Sequence, residues 1–222
     1  MKSPLLAGLM ATLFAGSALL VSVEARIVPR DRLREELLYY PSGVAVQKAA
    51  LGHQSTAADL AWIRAVQYYG EHKKSDRKFT MMGHIFDIIT DLDPRFVNAY
   101  IFGGLVTAED AGDVARGVAL MEKGVAANPE SWQMAFETGF VHYVCARDYA
   151  AAARQFRRAA ALPGAPESTR RFAAAMTARA GDPRLALYLW SEFADRTTNG
   201  EMRQRALENI ARLQDEIQRE AH

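Results

Sequence analysis

The chain has 222 residues, half of them apolar and about a quarter charged, with 27 basic side chains against 26 acidic ones. That length and composition suit one globular domain or a short repeat array, and the near-balanced charge, with no long Lys/Arg run, argues against a nucleic-acid partner. Cys145 is the only cysteine, so no intrachain disulfide can form.

Residues 4–23 read PLLAGLMATLFAGSALLVSV, without a charge, after Lys2. Twenty residues at about 1.5 Å each make roughly 30 Å, the thickness of a bilayer's hydrocarbon core. Two readings of residues 1–25 fit: a transmembrane anchor, or a signal peptide cleaved after Val23-Glu24-Ala25, where small residues fall at the required spacing. The length of the apolar stretch favours the anchor. Arg26, Arg30, Arg32 and Arg34 follow it and would keep the remainder cytoplasmic by the positive-inside rule. The short basic start and small-residue exit argue instead for the extracytoplasmic side of an inner membrane, which is the reading preferred, with a cytoplasmic orientation and a cleaved periplasmic form as the alternatives. Residues 26–54 then form a linker and a short helical lead-in, in which Ser42 caps a helix over Gly43–Leu51 and Gly52 ends it. Ser55 is placed to cap the next helix, running to about His72.

From Ser55 to Thr198 the chain repeats. Gly70, Gly104, Gly139 and Ala174 are spaced 34, 35 and 35 residues apart, each inside an apolar, helix-like stretch. Three further columns keep the same period: Met82, Gly117, Ala152 and Ala186; Phe86, Met121, Phe156 and Trp190; Ile89, Gly124, Ala159 and Phe193. The last three columns lie four and three residues apart, so they share one face of one helix. A helix pair of this length cannot bury its apolar face alone, and stacking pairs makes the core continuous. Turn signals keep the same phase. Asp93-Pro94, Asn128-Pro129 and Leu162-Pro163-Gly164 close the second helix of successive units. Gly112-Asp113, Arg147-Asp148 and Gly181-Asp182 fall in the turns within units, where glycine and aspartate supply turn geometry and caps.

The phrases RDYAAAARQFRRAAALP (residues 147–163) and GVALMEKGVAANP (residues 117–129) resemble the second helix and closing proline of the tetratricopeptide repeat (TPR) family. The resemblance covers residues 55–198. It is poorest in the first unit, where Met82 and Ile89 stand at positions usually small, and two units carry an extra residue in their turn. It implies an all-α, TPR-like right-handed superhelix of about four helix pairs, preceded by the N-terminal apolar segment. Residues 199–222 would close the array, because Met202, Ala206, Ile210, Leu213 and Ile217 make one apolar stripe among charged residues.

Chemistry is harder to find. His53, His72, His84, His142 and His222 show no zinc-binding spacing, and there is no phosphate-cradling glycine loop and no nucleophile elbow. No catalytic residue, metal or cofactor is expected. The acidic residues Glu109, Asp110 and Asp113 read as a solvated turn, and Cys145 with His142 three residues before it as a buried thiol. Lys73, Lys74, Arg77 and Lys78 read as a solvated loop. The family resemblance implies instead a protein or peptide partner on the concave face formed by the first helices of the units. In that register the face carries Asn98, Ile101 and Leu105, then Gln133, Phe136, Phe140 and Tyr143, and finally Arg171. Phe136, Phe140 and Tyr143 share one helical stripe, which serves either as a peptide groove or as packing against a neighbouring helix. The expected function is a scaffold or assembly factor held at a bacterial cell membrane through residues 4–23. A fixed subunit of a membrane complex and an enzyme are the alternatives.

Overall fold

The computed structural model describes residues 50–220, and these are helical throughout apart from turns. The anchor-or-leader segment, residues 26–49 and the orientation of the chain in a membrane lie outside the described residues. Among the described residues nine α-helices follow in order: α1 (Gln54–Lys74), α2 (Met82–Leu92), α3 (Val97–Glu109), α4 (Val114–Ala127), α5 (Trp132–Val141), α6 (Tyr149–Ala161), α7 (Ser168–Arg179), α8 (Pro183–Arg196) and α9 (Gly200–Glu220). They pair as α1–α2, α3–α4, α5–α6 and α7–α8, each pair packing on the next, with α9 against α8. This is the all-α, TPR-like stack of four helix pairs and a closing helix.

The punctuation works as its chemistry requires. Asp113, Asp148 and Asp182 each accept a hydrogen bond from the backbone N–H three residues on, at 3.1, 2.8 and 3.0 Å, and so cap α4, α6 and α8. Before each cap the chain passes through the left-handed region, at Gly112, Arg147 and Gly181. Arg147 therefore holds, at φ 55°, a conformation that costs a side-chain-bearing residue about 1 kcal/mol. The extra residue of the second and third units is absorbed just ahead of these caps. Asp113 and Asp148 donate their N–H to carbonyls six residues back, Thr107 and His142, whereas Asp182 reaches only five, to Thr177. In the third unit that slack takes the form of a π-helical turn over His142–Ala146.

All twelve members of the three second-helix columns are buried. The small ones set the distance between helices: a Cβ added to Gly117 would stand 2.7 Å from the Gly104 carbonyl oxygen and 2.7 Å from the Ala108 Cβ. Gly139 faces the ring of Phe156, with 3.1 Å available to a Cβ. In the last pair Ala174, Ala186, Trp190 and Phe193 make one core with Ala206 and Leu213 of α9. Met202 and Ile210 pack against that core, so the stripe read from residues 199–222 does cover the end of the array.

The first unit departs from the pattern, and Gly70 is not the close-approach residue its column suggested: a Cβ there would meet nothing within 4 Å. Tyr100, Gly104 and Ala108 of α3 are buried. Their counterparts 34 residues earlier, Val66, Gly70 and Lys74, are exposed or half-exposed. Helix α1 is turned about its axis and buries Ala58, Ala61, Ala65, Tyr68 and His72 instead. The cause lies in α2, where bulky Met82 occupies the position held elsewhere by Gly117, Ala152 and Ala186. With no small residue at that position of α2, the alanine stripe of α1 supplies the room. Ser55 is likewise not the cap of this helix; His53 stands at the N-cap, and no side chain closes it.

These contacts separate two glycines of similar appearance. Gly117→Ala is expected to cost roughly 1–3 kcal/mol by forcing α3 and α4 apart. Gly70→Ala, in open space within a helix, is expected to stabilise by about 0.5–1 kcal/mol. Chemical denaturation of the two variants checks both signs.

Candidate protein-binding surface

The residues expected on the first-helix face fall into two groups. Asn98 is exposed in the first turn of α3, with Ile101 and Leu105 half-buried one and two turns further on. Helix α3 packs against α5, where Gln133 is exposed and Phe136 and Phe140 are half-buried. Tyr143 follows in the π-helical turn and is also half-buried.

Packing distinguishes the three aromatic residues. Phe136 sits edge-on to Phe156 (5.2 Å between ring centroids) and to Phe172 of α7 (5.4 Å), while Phe156 and Phe172 stack at 5.3 Å. Its ring is thus tied into the core between the third and fourth units. Phe140 also packs on that core, and its ring contact among the described residues is with Tyr143, edge-on at 6.2 Å. Tyr143 in turn faces Tyr149 at 6.2 Å. The guanidinium of Arg179 covers both tyrosine rings, at 5.3 and 5.8 Å, and donates to the Tyr143 hydroxyl at 3.2 Å. Such cation–π contacts are worth roughly 0.5–1 kcal/mol at exposed sites, enough to fix the rings without burying them.

Arg171 touches this cluster at Phe172 and not at the tyrosines. Its guanidinium lies over Phe172 and contacts the Met202 sulfur at 3.8 Å, beside a cavity of about 320 Å³ also lined by Phe193 and Asn199. The cation over the two tyrosines is Arg179. Sequence reading missed Arg179 and Phe172 because each follows its partner, Tyr143 or Phe136, by 36 residues, one more than the repeat period.

The other groups singled out in the sequence are engaged elsewhere. Asp110 accepts from Tyr69 at 2.9 Å and pairs with Lys73. Burial pushes its carboxyl upward, but the bonds from Lys73 and Tyr69 outweigh that and leave it below the usual value. Asp113 is the α4 cap. His142 turns to Glu122 at 2.8 Å. The Cys145 thiol is raised, first by burial and then by the charge of Glu109, the opposite of an activated nucleophile. Among the described residues no three potential metal ligands are grouped, and no helix is long and apolar enough to cross a membrane.

No family model matches the chain, and no curated protein matches it in sequence. Among solved structures it is similar to two of MamA, each at 14% identity: one at TM-score 0.45, covering 68% of this chain and 95% of that one, the other at 0.46, covering 77% and 95%. It is also similar to TTC0263, described as a thermophilic TPR protein in Thermus thermophilus, at 15% identity and TM-score 0.43, covering 76% of this chain and 96% of that one.

Next to Phe136, Glu137 is half-buried with no partner among the described residues, and burial alone lifts its carboxyl above the ordinary value of 4.5. A carboxyl raised in the folded state favours folding while protonated, and that contribution is lost as pH rises through the folded pKa. Glu137→Gln is therefore expected to raise the melting temperature at neutral pH and to do little under acid conditions. Melts across that pH range check both halves.

Proposed function

We propose that the chain is a non-enzymatic scaffold, held at a bacterial cell membrane by residues 4–23, that takes a peptide or helix of a partner protein on the Phe140–Tyr143 surface. The observation that carries this reading is the position of Phe140. It is a large aromatic residue that packs on the core beside Phe136 yet stays partly exposed at its edge. Ile101 and Leu105 extend the apolar surface onto the preceding unit, Gln133 and Asn98 rim it with polar groups, and Arg179 holds the tyrosines in place. An aromatic anchor in a polar rim is what binding hot spots require. Arg171, over Phe172 and beside Met202, stands at the end of the surface nearest α9.

The membrane part of the proposal rests on the length and lack of charge of residues 4–23, with the repeats placed outside the cytoplasm. A partner present in fixed stoichiometry would make the chain a permanent subunit of a membrane complex; varied, substoichiometric partners suit a scaffold.

Phe140→Ala is expected to weaken partner capture by about 2 kcal/mol or more with little loss of thermal stability. A stability loss of roughly 3–5 kcal/mol would assign the ring to the core and remove it as an anchor. On fractionation the full chain is expected with the membranes and residues 26–222 in the supernatant. Soluble protein recovered with its N-terminus at Arg26 on expression of the full chain would replace the anchor by a cleaved leader.

A further inference from the structure

Between α6, α7 and α8 lies a cavity of about 350 Å³ that Phe140 and Tyr143 do not line. Its apolar lining is three alanines and Leu189, and each of the three helices contributes one arginine to the cavity: Arg157, Arg170 and Arg196. Among the described residues, the only acidic group in the lining is Glu192, which pairs with Arg196 at 3.0 Å on the same helix. Arg157 and Arg170 are half-buried. Arg157 donates to the hydroxyl of buried Thr177 at 3.3 Å, which orients its guanidinium without neutralising it. No carboxylate among the described residues pairs with Arg157 or Arg170.

Three guanidiniums against one carboxylate leave a formal excess of two positive charges in one concavity. Exposed arginines usually spread apart or find acidic neighbours along the helix, as Arg196 and Arg212 do with residues four positions away. Arg157 and Arg170 differ, because they line one half-enclosed space from two helices without such a partner, where water screens like charges less than in bulk. An oxyanion relieves that repulsion, and guanidinium is the side chain best shaped to bind phosphate or carboxylate through two parallel hydrogen bonds. The volume lies at the small end of the range for small-molecule pockets. The small alanine side chains of the lining leave space for a short carbon body beside the acidic group.

We propose that this cavity is a binding site for a small organic anion, a phosphate ester or a carboxylic acid, whose acidic group is held by Arg157 and Arg170. Arg196 stays with Glu192 at the mouth. The site is independent of the aromatic surface, so Phe140→Ala leaves it intact.

The test is an NMR titration of the full chain in detergent with potassium phosphate and, separately, potassium citrate, with potassium chloride holding ionic strength constant. Saturable amide shifts are expected at millimolar anion, confined to the end of α6, the start of α7 and the second half of α8. Arg170→Gln is expected to weaken binding about tenfold, as for loss of a charge-assisted hydrogen bond, and Glu192→Gln to tighten it by removing the competing carboxylate. Arg157→Gln, on a different helix, serves if Arg170→Gln does not fold. A response to phosphate alone assigns a phosphate ester, and a response to citrate alone a carboxylic acid. Absence of any saturable shift with either salt, or unchanged midpoints in the folded arginine variants, would overturn the proposal.

Discussion

Two backbones meet at Gly104 and Gly117, and the rest of the array is arranged around that approach. With no Cβ on either residue, the Gly104 carbonyl lies where a side chain on Gly117 would have to go. At this spacing Met121 and Tyr100 reach across the pair and are completely buried, filling the interior at the density that protein cores demand. Ala152 and Ala186, the smallest side chains after glycine, hold the same column in the next two pairs and are fully buried as well. The large column, Phe86, Met121, Phe156 and Trp190, then fills the space that the small column opens.

Such packing uses only one side of each first helix. In α5 that side is Ala135 and Gly139, both buried, and Phe136 closes the seam to the fourth unit through Phe156 and Phe172. Phe140 and Tyr143, further along the chain, pack on the same core but remain partly exposed. Arg179, Tyr143 and Tyr149 form a small aromatic and cationic platform. Its geometry depends on the π-helical turn over His142–Ala146, because the extra residue there swings Tyr143 and Arg147 into their positions ahead of the Asp148 cap. A local irregularity in the repeat thus shapes the surface assigned to binding.

The second helices were legible in the sequence, since all twelve column residues are buried at the same period and the closing turns keep phase with it. The first helices were legible where a small residue admits the neighbouring helix, as Gly104 admits Met121 and Gly139 admits Phe156. Gly70 kept the period without keeping the contact, because Met82 denied α1 the close approach and Ala58, Ala61 and Ala65 offered another. On the candidate surface the period placed Phe136, Phe140 and Tyr143 together but drew Arg171 in with them. The side chain of Arg171 follows Met202 of α9, outside the repeat, and the cation that does reach the tyrosines stands one residue past the column. A strict period cannot show such offsets. The arginine cavity was invisible for a related reason: Arg157, Arg170 and Arg196 share no column and meet only in three dimensions.

The central claim is that the Phe140–Tyr143 platform is a surface for a partner and not spare core. It is tested most directly by placing a photoreactive residue at position 140 of the full chain and irradiating native membranes. The account predicts a crosslink to one defined chain or a small set of chains, competed by the unmodified protein and absent when the same residue replaces exposed Tyr188. Crosslinks confined within the chain itself would contradict it.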